Sequence, residues 1–265
     1  MRKLVISDIH GCYDELSELL SKVKYIPSED QLILLGDYCD RGPKSKEVIE
    51  QVRRLVQQGN DVIALRGNHD QLFIDAMENN ENAIWIENGG LSTIQSYVGK
   101  DWFKTGFNYP EYNKAKAFIK MYYQHHIDFL KSLPLYAEDD RHLFTHAGID
   151  PAYSGDLQSH PDNIFLWGTK QFISSDHLLS KNVVFGHIPT KRIHASADIW
   201  FGNKKIGMDG GCYFGYQLNC LEISHNKYKF YDIQKNKSWY ARLLRFWQKV
   251  KLWYLTKIKN RIDKA

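Results

Sequence analysis

The amino-acid sequence predicts an α/β fold, because short apolar runs of β type alternate with helical patterns along its first seventy residues. A polar cluster rich in Gly, Asp and His follows each of these apolar runs. In open α/β sheets, the loops that leave the carboxyl ends of the strands form the ligand site. We therefore expect the polar clusters to meet at one edge of a sheet.

The predicted elements follow one another in a regular order. Fully apolar runs predict buried strands at Leu4–Ile6, Leu32–Leu35 and Val62–Leu65. Amphipathic spacing predicts helices at Tyr13–Val23 and Lys44–Gln57, and the segment Leu72–Leu130 is predicted to be mostly helical. Short β-type runs then return at His142–Phe144, Val183–Phe185, Lys204–Ile206, Leu218–Ile223 and Tyr228–Tyr231.

The composition is that of a globular chain whose charge is unevenly distributed. The 265 residues are 43% hydrophobic and 25% charged, which excludes a disordered chain, a collagen-like repeat and a small disulfide scaffold. Residues 235–265 hold ten Lys or Arg and one acid, a net charge of +9, whereas the whole chain carries +4. Residues 1–234 therefore carry −5. We predict one domain at 1–234 and a basic tail at 235–265.

The chain carries no pattern that predicts export or membrane insertion. A signal peptide needs an apolar stretch of about 7–15 residues, and a spanning helix needs about 20. The N-terminal apolar run Leu4–Ile6 is far shorter than either. The four Cys have no CxxC spacing and are predicted to be reduced thiols. These features predict a cytoplasmic body.

Five loops that follow apolar runs carry side chains suited to a metal ion: Asp8 and His10, Asp37, Asn68 and His69, His146, and His187. Carboxylate and amide oxygens together with imidazole nitrogens suit Mn, Fe or Zn rather than Ca or a thiolate site. Taken singly, Asp-x-His and Gly-Asp are also typical of turns, and Gly-Asn-His-Asp is typical of a helix N-terminus. Five such coincidences in this order are far less probable than one shared site.

Together these loops resemble the signature blocks of calcineurin-like metallophosphoesterases: Asp8–Gly11, Gly36–Gly42, Leu65–Asp70, His146–Gly148 and Gly186–His187. The Asp40-Arg41-Gly42 ending resembles the phosphoprotein phosphatase branch, and the segment 85–90 with Thr93 resembles its compact bacterial members. The resemblance extends over roughly residues 3–223. It implies two packed mixed β-sheets flanked by helices, a four-layer sandwich, in a catalytic domain at 1–234.

The resemblance also implies a centre of two divalent metal ions, with Mn expected first and Fe or Zn as alternatives. The implied metal ligands are Asp8, His10, Asp37, Asn68, His146 and His187. Asp37 is expected to bridge the two ions. In such a centre the ions lie roughly 3.5–4 Å apart, and a hydroxide that bridges them attacks phosphorus in line.

Neighbouring residues complete the implied chemistry. His69 is the implied general acid for the leaving oxygen, and Asp40 is expected to hydrogen-bond its imidazole and fix the tautomer. Arg41 presents a planar fork that matches two phosphate oxygens, and Asn68 is also expected to contact the substrate. For Arg41, a structural salt bridge with a neighbouring acid is the alternative.

One segment departs from the family pattern. Family members commonly carry Trp-x-Arg-x-x-Phe, in which the Arg is a second phosphate anchor, whereas this chain has Thr169 in that place. Lys170 stands one residue later and is expected to point in a different direction. The departure predicts weaker phosphate anchoring or a different substrate.

The resemblance implies a metal-dependent phosphoric monoester hydrolase: a Ser/Thr or dual-specificity protein phosphatase that acts on a phosphoprotein or phosphopeptide. The alternative enzyme is a symmetrical dinucleoside-tetraphosphate hydrolase. Asp40 favours the phosphatase, because those relatives usually carry Ala in its place. A further alternative is a membrane-docked adaptor with a vestigial site, and the intact ligand set argues against it.

The basic tail is predicted to form an amphipathic helix, because Trp239, Leu243, Phe246 and Trp247 recur at three- and four-residue spacing. One interpretation is a terminal helix docked on the acidic body. The other is a helix that lies on an anionic membrane through residues 239–264, which places the enzyme at the inner membrane face. Nucleic acid is not expected as a partner, because no recognised module accompanies the charge.

Overall fold

The computed structural model describes residues 1–59, 61–79, 82–103, 106–153, 157–225 and 227–235. The strands of this part of the chain are β1 (Arg2–Ile6), β2 (Asp30–Leu34), β3 (Val62–Ala64), β4 (Tyr136–Glu138), β5 (His142–Thr145), β6 (Asn182–Phe185), β7 (Trp200–Gly202), β8 (Lys205–Gly207), β9 (Gln217–Ser224) and β10 (Lys227–Gln234). Its helices are α1 (Tyr13–Lys22), α2 (Ser45–Gln57), α3 (Asn68–Glu78), α4 (Asn82–Glu87), α5 (Gly90–Val98), α6 (Tyr109–Ser132) and α7 (Asp162–Trp167).

The strands form two mixed sheets of five strands each. The first sheet has the order β10-β9-β1-β2-β3, in which β1, β2 and β3 are parallel. The second has the order β4-β5-β6-β8-β7, in which β5, β6 and β8 are parallel. Antiparallel strands complete both sheets. The predicted α/β class with two mixed sheets flanked by helices is confirmed.

Alternation along β1 explains how the two sheets pack. Successive side chains of a strand point to opposite faces. Val5 accordingly packs between the sheets with Phe144 and Val184. Leu4 and Ile6 point the other way, into the core formed with the helices. Each of these five side chains is at most 1% exposed. Full burial of one such side chain contributes about 1.5–3 kcal/mol, so a register shift of one residue is strongly disfavoured.

The predicted elements agree with the observed ones to within a few residues, and α3, α4, α5 and α6 account for most of the region 72–130. Two strands were not predicted, β4 and β7. Each has three residues and lies at an edge of the second sheet, and none of its residues is fully buried. Such short and partly exposed strands lack the continuous apolar run that signals a buried strand.

The predicted tail helix at 239–264 lies outside the described residues. Lys235, the last described residue, donates its backbone N–H to Tyr216 O at 2.7 Å and pairs its ammonium with Glu15 at 2.7 Å. The domain boundary at 235 stays a prediction. Among the residues that the structure describes, no helix is both long enough and apolar enough to cross a membrane.

Candidate metal centre and active site

The predicted ligands lie in loops at the carboxyl ends of parallel strands. Asp8 and His10 follow β1, Asp37 follows β2, and Asn68 follows β3 in the first sheet. The second sheet contributes two loops, with His146 after β5 and His187 after β6. Because the two sheets pack face to face, their loops converge, and the structure brings all the predicted ligands together.

Asp37 lies at the middle of this cluster. Its Oδ2 is 3.3 Å from His10 Nε2, and its Oδ1 is 3.5 Å from His146 Nε2. Asp37 belongs to two groups whose ligand atoms all lie within 4.8 Å of one another, one with His10 and His69 and the other with Asp8 and His146. A residue shared by two such groups has the position required of a bridging ligand.

The hydrogen bonds of two histidines show that this donor set suits cations. His10 donates its Nδ1–H to Cys39 O at 2.8 Å, and His146 donates its Nδ1–H to Leu35 O at 2.9 Å. Each neutral ring therefore presents an Nε2 lone pair inward. His146 Nε2 lies 2.9 Å from Asn68 Oδ1, so two acceptors face each other. Cations between such acceptors remove the conflict, and the residues fit two divalent ions.

Electrostatics of the buried acids lead to the same conclusion. Burial, followed by repulsion from Asp37, raises the pKa of Asp8 to about 7. Burial lowers the pKa of His10 to about 4 and that of His187 to about 3. Without a cation, the site therefore disfavours the carboxylate of Asp8. A nearby divalent ion reverses this preference because it stabilises the ionised carboxylate directly.

Asp8 and His187 connect the two sheets across the site. The backbone N–H of His187 lies 3.0 and 2.9 Å from the two carboxylate oxygens of Asp8, and Ser7 donates its hydroxyl to the same carboxylate. This approach requires Gly186, because a Cβ there would overlap Ser7 Oγ and Asp8 Oδ2. His187 Nδ1 also lies 2.9 Å from Asn68 Oδ1.

Backbone strain is concentrated in the same loops. Nine described non-glycine residues have a positive φ, and six of them are predicted site residues. The six are Asp8, His10, Asp37, Asp40, Arg41 and His187, with φ between 44° and 68°. Left-handed backbone is costly for residues with a Cβ and persists only where surrounding structure enforces it. The fold thus holds these side chains in fixed orientations.

His69 forms the contact with Asp40 that the resemblance implies. Its Nδ1 lies 2.8 Å from Asp40 Oδ2, and Asp40 Oδ1 accepts hydrogen bonds from Trp85 Nε1 at 2.9 Å and Thr93 Oγ1 at 2.7 Å. Burial raises the pKa of Asp40 to about 7 and lowers that of His69 to about 3. The carboxylate accepts the Nδ1–H and leaves Nε2 directed at the site.

Arg41 lies across the opening of this cluster. Its Nη1 donates to His10 Nε2 at 2.8 Å and its Nη2 to His69 Nε2 at 2.7 Å, while its Cζ stands 5.5 Å from the centroid of the Phe214 ring. Within the described residues, Arg41 makes no ion pair with a carboxylate. Its guanidinium charge therefore faces the site rather than a structural acid.

Two buried acids at the site had no predicted role. Asp70 accepts backbone N–H groups from Asp37 at 2.9 Å, Gly67 at 3.0 Å and Tyr38 at 3.0 Å, and so ties the loops after β2 and β3 together. Asp209 follows β8 and accepts Gly211 N–H at 2.7 Å; burial raises its pKa. A signal existed for both, since each is an Asp in a polar, Gly-containing cluster after an apolar run.

Thr169, which stands where family members commonly carry an Arg, lies in a segment next to the site. The hydroxyl of Thr169 is buried and has no hydrogen-bond partner in the described part of the chain. Its neighbour Trp167 is 46% exposed, and the Trp167 ring lies 6.1 Å from the ring of His187, centroid to centroid. The segment thus borders the site with an aromatic ring and provides no charge at position 169.

Comparison with known proteins identifies the family. Residues 1–231 match the sequence profile of the calcineurin-like phosphoesterases. The chain belongs to this family. Calcineurin-like phosphoesterases use a dinuclear divalent metal centre, which agrees with the two ligand groups that share Asp37. The predicted family and the predicted metallophosphatase class are confirmed.

Relatives of this calcineurin-like phosphoesterase include protein phosphatases and dinucleoside tetraphosphatases. It is 28% identical to serine/threonine-protein phosphatase 1 of Salmonella typhimurium, over 83% of this chain and 90% of the relative. It is 31% identical to the symmetrical bis(5'-nucleosyl)-tetraphosphatase of Photorhabdus laumondii, over 83% and 71%. The solved cold-active protein-tyrosine phosphatase of a Shewanella species has the same fold, with a TM-score of 0.57 at 20% identity, covering 89% of this chain and 80% of that one.

Proposed function

We propose that this enzyme hydrolyses phosphoric monoesters of serine or threonine in proteins or peptides, with Mn²⁺ as its metal. The pairing of His69 with Asp40, 2.8 Å apart beside the ligand set of Asp37, carries the proposal. A serine or threonine alkoxide is a poor leaving group, and its departure benefits most from a positioned general acid. The pair provides a ring nitrogen directed at the site for this purpose.

In this proposal the residues divide into three roles. The ions would be held by Asp8, His10, Asp37, Asn68, His146 and His187. When bound, the ions supply Lewis-acid chemistry and lower the pKa of water. When substrate binds, Arg41 would exchange its contacts with His10 and His69 for two phosphoryl oxygens, and Asn68 would contact the same group. His69 protonates the leaving oxygen from Nε2.

Asp40 acts through His69 rather than on the substrate. Its carboxylate accepts the Nδ1–H of His69, which fixes the tautomer and opposes the effect of burial, which lowers the pKa of His69 to about 3. Trp85 and Thr93 hold the other oxygen of Asp40, so the carboxylate cannot rotate away. The acid–base pair is therefore preorganised before substrate arrives.

Hydrolysis of dinucleoside tetraphosphates is the second candidate. The symmetrical tetraphosphatase of Photorhabdus laumondii and the serine/threonine phosphatase cover the same share of this chain, 83%. An asymmetrical bis(5'-nucleosyl)-tetraphosphatase of Anoxybacillus flavithermus is also 28% identical, over 82% of the chain. The leaving group of an anhydride is itself a phosphate, so its departure depends less on His69.

One experiment tests both candidates. Turnover of a phosphoserine peptide and of diadenosine tetraphosphate is measured with Mn²⁺ for the wild type, His69→Asn, and the exposed control His125→Asn. The proposal expects the peptide to be the better substrate and His69→Asn to lower its kcat at least 100-fold. Preference for the tetraphosphate, with kcat little changed in His69→Asn, would establish the second candidate instead.

The tail supports a separate proposal, on sequence grounds alone. Residues 239–264 combine Trp and Leu with Lys and Arg, and we propose that they bind an anionic membrane and hold the enzyme at its surface. Co-sedimentation with phosphatidylserine vesicles is expected for the full chain and not for a chain ending at residue 235. Equal co-sedimentation of both would contradict the proposal. The adaptor alternative is not favoured, because the metal ligands are intact and converge.

A further inference from the structure

Two guanidinium groups share one aromatic ring beside the metal centre. Arg41 Cζ lies 5.5 Å from the centroid of the Phe214 ring, and Arg192 Cζ lies 6.0 Å from the same centroid. The two cations are therefore separated by no more than the sum of these distances. Arg41 contacts His10 and His69, so Arg192 stands one ring away from the ligand set.

The backbone that carries Arg192 is anchored to the site. Arg192 is the last residue of a 3-10 turn, Thr190–Arg192, which begins three residues after the predicted ligand His187. Thr190 donates its N–H to Asp209 O at 2.8 Å, and Arg192 donates its N–H to Pro189 O at 2.7 Å. The side chain of Arg192 is exposed, but its starting point is fixed relative to the metal ligands.

The charges of Arg41 and Arg192 are not paired directly with carboxylates in the part of the chain that the structure describes. Lys191 adds a third positive charge, with its Nζ 4.3 Å from the centroid of the Tyr216 ring. Cation–π contact contributes only about 0.5–1 kcal/mol at exposed sites and does not neutralise charge. A rim with three cations, none of them in a direct ion pair with a carboxylate of the described residues, favours an anionic ligand beside the metal centre.

Arg192 can also replace the phosphate-binding Arg of the family pattern, which is Thr169 in this chain. The family places its second phosphate-binding Arg in the segment 167–172, where this chain has a buried, uncharged hydroxyl. Arg192 comes from a different element and approaches from the Phe214 side. The substrate can thus be held by the guanidinium groups of Arg41 and Arg192, whereas the family pattern uses an Arg of the segment 167–172 as the second group.

We propose that Arg192, stacked on Phe214, is the second substrate-anchoring cation of this enzyme. It binds a phosphate that neighbours the phosphoryl group held by Arg41, so that substrates with two adjacent phosphates bind more tightly than those with one. The inference rests on the proposed phosphatase function and specifies its substrate class. Adjacent phosphates occur both in a polyphosphate chain and in a doubly phosphorylated peptide.

The test measures binding before turnover. Calorimetric titrations of the Mn²⁺-loaded protein use inorganic phosphate and pyrophosphate, with free Mn²⁺ held constant. The variants are Arg192→Ala and Arg192→Lys, with Lys170→Ala and the remote Arg141→Ala for comparison. We expect Arg192→Ala to weaken pyrophosphate binding about tenfold while phosphate binding changes less than twofold. Arg192→Lys should recover part of the loss because it keeps the charge without the fork.

If Arg192→Ala changed the binding of both anions equally, or of neither, the inference about Arg192 would be overturned. The proposed function would still stand in that case, provided that the wild type binds phosphate. A selective loss of pyrophosphate binding in Lys170→Ala would also overturn it, in favour of the residue next to Thr169. A wild type that binds neither anion would overturn the proposed function as well. The KM of Arg192→Ala is then measured with diadenosine tetraphosphate and with a doubly phosphorylated peptide. The substrate whose KM rises relative to the wild type is the one that carries the second phosphate.

Discussion

The Nδ1 of His69 lies 2.8 Å from a carboxylate oxygen of Asp40, and Asp40 is itself fully buried. Burial raises the pKa of Asp40 to about 7, and the hydrogen bonds from Thr93 and Trp85 act in the opposite direction. The pKa of Asp40 therefore depends on two opposing effects, desolvation and hydrogen bonding. Any change that removes a donor from Asp40 also alters the proton affinity of His69.

Replacing the carboxylate of Asp40 is expected to damage acid catalysis selectively. In Asp40→Asn the amide no longer supports a protonated His69, so kcat for a phosphoserine peptide should fall about 100-fold. p-Nitrophenyl phosphate, whose leaving group needs no proton, should lose less than tenfold. Steady-state kinetics with both substrates measures the difference. Equal losses for the two substrates would contradict the assignment of His69 as general acid.

Adding one methyl group at Gly186 is expected to displace a metal ligand. The Cβ of Gly186→Ala would overlap Ser7 Oγ and Asp8 Oδ2, so Mn²⁺ affinity should fall at least tenfold. Gly207→Ala is the matched control, because its nearest neighbour is a Phe185 ring carbon at 3.3 Å. Mn²⁺ titration by calorimetry compares the two variants. Similar affinities in both would show that the loop adapts.

Asp70 is expected to be important for both stability and metal binding. In Asp70→Asn, one of the three backbone N–H groups would face an amide NH₂ instead of a carboxylate oxygen. An unsatisfied buried donor costs about 1–3 kcal/mol, so the free energy of unfolding in urea should fall by that amount. Mn²⁺ affinity should fall with it, because Asp37 loses its support. Asp75→Asn, on the same helix, should have little effect on either quantity.

A cluster between α2 and α6, formed by Glu50, Arg53 and His126, is expected to set part of the acid sensitivity. Hydrogen bonds from Arg53 lower the pKa of Glu50 to about 2, and burial lowers the pKa of His126 to about 4. In both cases the unfolded chain binds the proton more readily. The stabilisation is present above pH 6.5 and is lost as the pH falls, first from His126 and then, below about 4.5, from Glu50.

The Glu50 contribution can be isolated by mutation. Urea unfolding of the wild type and of Glu50→Gln at pH 7 and pH 3.5 should show that the wild type loses roughly 1 kcal/mol more between these pH values. The comparison cancels the titration of the site acids, which are present in both proteins. Parallel pH profiles of the two proteins would exclude the Glu50 cluster as a source of acid sensitivity.

Removal of metal should lower thermal stability as well as abolish turnover. Buried acceptors such as His146 Nε2 and Asn68 Oδ1 face each other at 2.9 Å, and bound cations relieve this contact. Mn²⁺ at 100 times its dissociation constant should stabilise the native state by about 2.7 kcal/mol and raise Tm. Calorimetric scans after chelation and after Mn²⁺ readdition measure the shift. A Tm that is independent of Mn²⁺ would contradict the proposed ligand set.

Much of the fold was predictable because its buried strands are short, apolar and followed by polar clusters. Those features come from local sequence: β1, β2 and β6 are apolar on both faces, as buried parallel strands require. The edge strands β4 and β7 lack this signal, because neighbours distant in the sequence stabilise them. Their pairing depends on hydrogen bonds to β5 and β8 that no local pattern encodes.

The ligand set was predictable for a similar reason, whereas its supports were not. Asp8, Asp37 and His187 each follow a strand in a recognisable block. The ring N–H of Trp85 donates to Asp40 from a separate helix, 45 residues further along the chain. No local sequence pattern shows that two residues so far apart in the chain are in contact. Arg192 lies near Phe214 only because β8 and the loop after it return to the site.

The contact between Asp8 and His187 spans 179 residues of chain and joins the two sheets. During synthesis on the ribosome, β1, β2 and β3 therefore emerge with Asp8, His10, Asp37 and Asn68 before β5 and β6 supply the two remaining ligands. A nascent chain shorter than about 187 residues has only part of the binding site. The complete ligand set, and the reactivity that depends on it, therefore requires synthesis to continue past β6.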